Sequence, residues 1–158
     1  MSVENDILEA LYTMAEEMTI ANGYSFDWVA FHNKDIHQEA QIYVQIEADD
    51  EENTDEDHYT SSNQYRQTTP FLFYVHLESQ IGEVDVDVIR YNSKRQLKIA
   101  LTDIKKKFNS LYNIAGDAGA LTLQYQGREF VESESEDAFA PVKMAVTYEI
   151  KYIEERGI

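Results

Sequence analysis

The chain has 158 residues, 43% of them hydrophobic and 12% aromatic, which suits one packed domain burying roughly 70% of its unfolded surface and is too apolar for general disorder. Thirty acidic against thirteen basic residues leave a net charge of −17. That balance repels phosphate backbones and anionic lipid, and so argues against sequence-reading of DNA and against membrane attachment.

The absence of cysteine excludes disulfide scaffolds, thiolate zinc sites and cysteine nucleophiles. The amino terminus, Met1 to Asp6, is acidic and lacks the basic flank and apolar stretch of a secretory signal, so export by that route is not expected. The longest apolar run, Phe71 to Val75, is far short of the ~20 residues of a membrane helix.

Taken in chain order, Val3 to Asn22 carries Ile7, Leu8, Leu11, Tyr12, Ala15 and Met18 at three- and four-residue spacings, which predicts an amphipathic helix. Glu4 and Asp6 favour its first turn, and Gly23 suits a left-handed stop. Tyr24 to Phe31 is aromatic-rich and reads as a strand, with Phe26, Trp28 and Ala30 on one face. Gln41 to Glu47 alternates, placing Ile42, Val44 and Ile46 together against Tyr43, Gln45 and Glu47.

Ala48 to Thr69 breaks the pattern with Asp49, Asp50, Glu51, Glu52, Asp55, Glu56 and Asp57, a like-charge block that predicts a solvated loop closed by Pro70. Phe71 to Ser79 and Val84 to Arg90 then read as two strands joined near Gly82. Ser93 with Gln96 three residues on forms a capping-box pattern. Leu97, Leu101, Ile104, Phe108 and Leu111 follow as the stripe of a second helix, and Lys105 to Lys107 fall near its end, where the dipole favours cations.

Leu121 to Val131 reads as a hairpin turning at Gln126-Gly127. A second acidic loop holds Glu132, Glu134, Glu136 and Asp137. Pro141 to Ile153 alternates without interruption, with Val142, Met144, Val146, Tyr148, Ile150 and Tyr152 on one face. At ~3.3 Å per residue this strand reaches about 43 Å, against about 40 Å across a compact chain of this size. It either curves inside one sheet or projects, and a projecting strand, with Tyr148 and Tyr152 on it, offers an edge for subunit pairing.

These elements predict an α+β fold: a mainly antiparallel, mixed sheet covered by two amphipathic helices, with a β-hairpin and a long C-terminal strand, in a single domain over 1–158 with an acidic loop at about 48–69. Chemistry is sparse. His32 and His37 lack the spacing of a helical zinc pair, His58 lies in the acidic loop, and His76 falls on a strand. The acidic block has no calcium-loop pattern, and the scattered glycines make neither a Walker nor a dinucleotide fingerprint. No serine sits in a nucleophile elbow. No enzyme activity and no cofactor are expected.

Surfaces carry the remaining signal. Lys94, Arg95, Lys98, Lys105, Lys106 and Lys107 supply six of the thirteen bases, all on the second helix. They form either a solvated face or a docking surface for an acidic neighbour such as the block containing Asp49, Asp50, Glu51 and Glu52. The acidity itself serves solubility, and it also suits a channel through which DNA slides without sticking.

The order of an amphipathic helix, the turn Asn22-Gly23-Tyr24, strands around a charged loop, a strand opened by Pro70, the helix from Ser93 and the final strand Val142 to Tyr148 resembles the tail-terminator (tail-completion, minor tail) proteins of long-tailed phages. The resemblance covers nearly the whole chain. It implies a homo-oligomeric ring, commonly a hexamer, that caps the tail tube and meets neck or connector proteins, with DNA only as passing cargo. It also implies a place in the virion, with assembly in the host cytoplasm. Another neck component of the same particle, or an acidic non-viral binding module, is the alternative expectation.

Overall fold

The structure, a computed structural model, describes residues 3–30, 42–49, 64–77, 86–109, 114–132 and 142–155. Among these residues five strands form one mixed sheet: β1 (Trp28–Ala30), β2 (Ile42–Ala48), β3 (Gln64–Leu77), β4 (Ala120–Glu132) and β5 (Val142–Glu155), in the spatial order β1-β2-β3-β5-β4. Only the β1–β2 pair is parallel. Helices α1 (Val3–Glu16), α2 (Val86–Lys107) and the short α3 (Ile114–Asp117) pack on it. The α+β class and the mixed, mainly antiparallel sheet agree with the sequence reading.

The core lies between the helices and one sheet face. Ile42, Val44 and Ile46 of β2 meet Phe71, Phe73 and Val75 of β3 and the alternate residues Val142 to Tyr152 of β5. Against them α1 sets Ile7, Leu11 and Met14, while α2 sets Leu97, Ala100 and Ile104, with Phe108 just beyond its end. Phe108 stands edge-on to Phe73, ring centres 4.8 Å apart, and Tyr148 tilts against both. Tyr43 is a departure from simple alternation, because it is as fully buried as its neighbours.

Several expected elements are redrawn. The first helix stops at Glu16, and a 3₁₀ turn over Ile20–Asn22 follows. Thr19 caps that turn through its side chain, and Gly23 closes it in the left-handed region at φ 93°. Of the strand expected over Tyr24 to Phe31, Tyr24 to Asp27 is not strand and Trp28–Ala30 is, while Phe31 lies outside the described residues.

Gln64 to Thr69, expected in the acidic loop, already belongs to β3, and Pro70 lies inside the strand instead of opening it. The position is tolerated because β2 ends there. Asp49 N–H donates to the Pro70 carbonyl at 2.8 Å, and the return bond is the one that proline cannot donate. Among the described residues, β3 from Gln64 to Pro70 is therefore paired with β5 as its only strand partner.

Val86 to Arg90, expected as strand, forms the first turn of α2, so Ser93 is a buried interior residue and not a cap. Val86, Ile89, Ser93, Leu97, Ala100 and Ile104 run at spacings of three and four, a helical pattern that the local alternation at Val84, Val86 and Val88 disguises. The hairpin at Gln126-Gly127 is likewise one continuous strand. β4 pairs with β5 over its length, with register shifts between Ala120/Thr122 and Tyr125/Gly127. Gly127, at φ 139°, serves a β-bulge and not a turn.

The long last strand neither projects nor forms an edge. β5 is interior, paired to β3 over Lys143 to Glu155 and to β4 over Val142 to Tyr152.

Candidate assembly surfaces

The expected basic face of α2 is largely engaged within the chain. Lys107 Nζ pairs with Glu17 Oε1 at 3.0 Å, and Lys106 Nζ donates to the Gly23 carbonyl at 3.1 Å while lying 4.7 Å from the Tyr24 ring centre. Lys105 Nζ sits 4.4 Å from the Tyr125 ring centre. Lys94 pairs with Glu132 and lies over Phe130. Its ammonium, by hydrogen bond and by charge, holds the Glu132 carboxyl below the usual carboxylate range.

Arg95 lies near Tyr91 of its own helix, and Lys98 is exposed. Contacts of this kind contribute about 0–1 kcal/mol each when exposed. Their effect is mainly positional: one end of α2 is tied to the turn after α1, the other to β4.

A buried carboxylate gives that placement its strongest anchor. Asp103 of α2 is buried. It accepts from the Ser25 N–H at 3.2 Å and 3.0 Å on its two oxygens, and from the Trp28 indole N–H at 3.0 Å. The short segment before β1 is thereby bonded to a helix 75 to 78 residues away in sequence. The clue was present, since Asp103 sits with Ala100 and Ile104 on the apolar stripe, but an acid beside a helix stripe does not name its donors.

The two margins of the sheet are unlike. At one margin β1 is three residues long, and the margin of β2 beyond it is occupied by Tyr12. The Tyr12 hydroxyl donates to the Ile46 carbonyl at 3.1 Å and accepts from the Ile46 N–H at 2.9 Å. Desolvation raises the Tyr12 hydroxyl above its ordinary pKa, as suits a group held neutral. This margin is closed by a side chain in place of a strand.

At the other margin, β4 runs for 13 residues with β5 as its only strand partner among the described residues. Leu121 and Val131 near its ends are exposed, and the stretch Ala120 to Gly127 bears no charge.

The remaining sequence candidates fall elsewhere. Tyr148 and Tyr152, expected on an assembly edge, are core residues at 2% and 0% exposure. Burial pushes the Tyr148 hydroxyl far above the usual tyrosine range, and Tyr125 adds to the effect. The Tyr152 hydroxyl lies 3.0 Å from Thr69 Oγ1 and donates to Glu4 at 3.3 Å, so its polar end is used inside the fold. Asp49 is exposed at the end of β2. Asp50, Glu51 and Glu52 lie outside the described residues, as do His32, His37, His58 and the second acidic loop beyond Glu132.

Of the two alternatives that the length of the last strand left open, the structure shows the strand inside one sheet, and among the described residues the margin belongs to β4, where Gly127 serves a bulge and not the expected turn. Compared with known protein families and with curated proteins, the chain matches neither a family model nor a curated sequence.

Proposed function

We propose that this chain is a structural assembly subunit, the tail terminator of a long-tailed phage. In this reading it forms a homo-oligomeric ring, a hexamer, that caps the finished tail tube, stops its polymerisation and joins it to the neck. The observation that carries the reading is the order of the elements: an amphipathic first helix, strands, a second amphipathic helix and a long alternating last strand. That order is the pattern on which the likeness to tail terminators rests.

A ring stops growth by matching the last layer of the tube on one face and failing to reproduce it on the other. Head-to-tail contacts close such a ring when their rotation closes. With a net charge of −17 per chain, a lumen lined by this protein repels DNA and lets it pass as cargo. The chain carries no reaction in this role and needs no cofactor. The work is done in the virion, after assembly in the host cytoplasm.

The test is to add the purified protein to polymerising tube subunits and follow tube length by electron microscopy. Capped tubes of arrested length are expected. Elongation unchanged at a molar excess of the protein refutes the proposal.

A further inference from the structure

We propose that the open margin of β4 is a self-pairing surface, at which two copies of this chain join their β4 strands antiparallel about a two-fold axis at Gln126-Gly127. The inference rests on that margin and not on the terminator reading.

The direction of each backbone group follows from the pairing. Asp49 bonds the Pro70 carbonyl, so even-numbered residues of β3 point to β2 and odd-numbered ones to β5. Phe71 faces Tyr148, so even residues of β5 bond β3 and odd ones bond β4. Thr122, Gln124, Gly127, Glu129 and Val131 stand opposite those odd residues and spend their hydrogen bonds inward. Leu123, Tyr125, Arg128 and Phe130 therefore aim theirs at the open margin.

Along that margin the outward groups are two residues apart except at the bulge, where Tyr125 and Arg128 are three apart. A regular strand cannot follow such an edge past the bulge without an irregularity of its own. A second β4 carries the same irregularity, and a two-fold axis at the bulge brings the two into register. Leu123 then meets Phe130 of the other copy, and Tyr125 meets Arg128, an apolar pair and a cation–aromatic pair. On the opposite face Thr122 meets Val131, and Gln124 meets Glu129.

Charge and the rest of the fold favour the same occupant. Two chains of net charge −17 repel each other broadly, but in this register Arg128, Glu129 and Glu132 of one copy each face an uncharged residue of the other, Tyr125, Gln124 and Leu121, so no like charges stand opposite each other. The far margin is less suited to continuing the sheet head-to-tail, because β1 is only three residues long and the Tyr12 hydroxyl takes both backbone groups of Ile46. A two-fold contact closes at two copies, so it describes the free chain, and ring closure requires a separate head-to-tail contact.

The test uses the full chain, which has no cysteine of its own. In the proposed register Gln124 and Glu129 form a non-hydrogen-bonded cross-strand pair, with Cα atoms ~4.5 Å apart, within disulfide reach. The same two positions lie roughly 13 Å or more apart along one strand, out of reach. The variant Q124C/E129C is expected to cross-link into covalent dimers on mild oxidation.

Sedimentation of the wild type should show a concentration-dependent dimer. Gln124→Glu sets like charges opposite each other twice per dimer and should weaken it on the order of tenfold, and adding Glu129→Lys should restore it. Both positions are exposed, so circular dichroism should be unchanged. A folded wild type that stays monomeric, a folded cysteine variant that fails to cross-link, or a dimer indifferent to Gln124→Glu overturns the proposal. Tube capping is read separately and bears only on the terminator reading.

Discussion

Replacing Asp103 by alanine tests whether the buried carboxylate fixes α2 to the segment before β1. The substitution leaves the Ser25 N–H and the Trp28 indole N–H without their acceptor. Hydrogen bonds to a charged group contribute about 1.5–3 kcal/mol each. Removing the carboxylate also relieves the cost of holding it away from water, so the net loss is about 3 kcal/mol and not the full sum.

For a chain of 158 residues, that loss lowers Tm by roughly 6–12 °C. Asp103→Asn retains one carbonyl acceptor but sets an amide donor among donors, and should cost about half as much. Urea unfolding gives the free energies. Trp28, the one tryptophan of the chain, reports the site directly through its emission, which should shift in folded Asp103→Ala. A loss below about 1 kcal/mol for the alanine variant, or an asparagine variant as damaged as the alanine one, refutes the reasoning.

Tyr12→Phe strips the hydroxyl from the β2 margin and should cost about 1–2 kcal/mol, with faster hydrogen exchange at the Ile46 amide as the local signature. Gly127→Ala should cost about 1–2 kcal/mol from backbone strain alone, since φ is 139° and an added Cβ meets nothing within 4 Å; thermal unfolding measures it. Alkaline stability follows from Tyr12 and Tyr148, whose hydroxyls are both raised above the ordinary value of 10.0 by burial. A raised pKa favours the neutral form in the folded state, so its contribution is complete below pH 10 and is lost as pH rises through the folded values. Unfolding midpoints should fall above pH 10, less steeply in Tyr148→Phe. Tyrosinate absorbance of the folded wild type should include late-titrating groups, one fewer in Tyr148→Phe.

Legibility in the sequence varied with how local each feature is. The stripes of α1 and α2 and the alternation of β2 and β5 could be read directly, because a buried face imposes its period on the residues that make it. The start of α2 could not. Val84, Val86 and Val88 alternate as a strand would, while Val86, Ile89 and Ser93 fit a helix, and so short a run satisfies both periods.

Gly127 was ambiguous in the same way, because a positive φ serves a turn and a bulge alike. The choice was made by β5, 14 residues long, which offers a partner to all of β4. Pro70 reads as a strand breaker by its missing N–H, yet it costs nothing where β2 has already ended. Among the surface candidates, the lysines were placed correctly on the end of α2. Their partners at Glu17, Gly23, Tyr24 and Tyr125 lie too far away in sequence for spacing to reveal.

By itself the sequence determined the class of the fold, the two amphipathic helices, the faces of the strands and the acidic, cysteine-free character of the chain. Each of these depends on residue type and on neighbours within a few positions. Tertiary structure alone decided that β5 is interior, that β4 lies at a margin among the described residues, and that Tyr12 and Asp103 hold distant segments. Those features depend on which groups remain unsatisfied once the sheet is assembled, and backbone donors and acceptors carry no residue identity to mark their partners in advance.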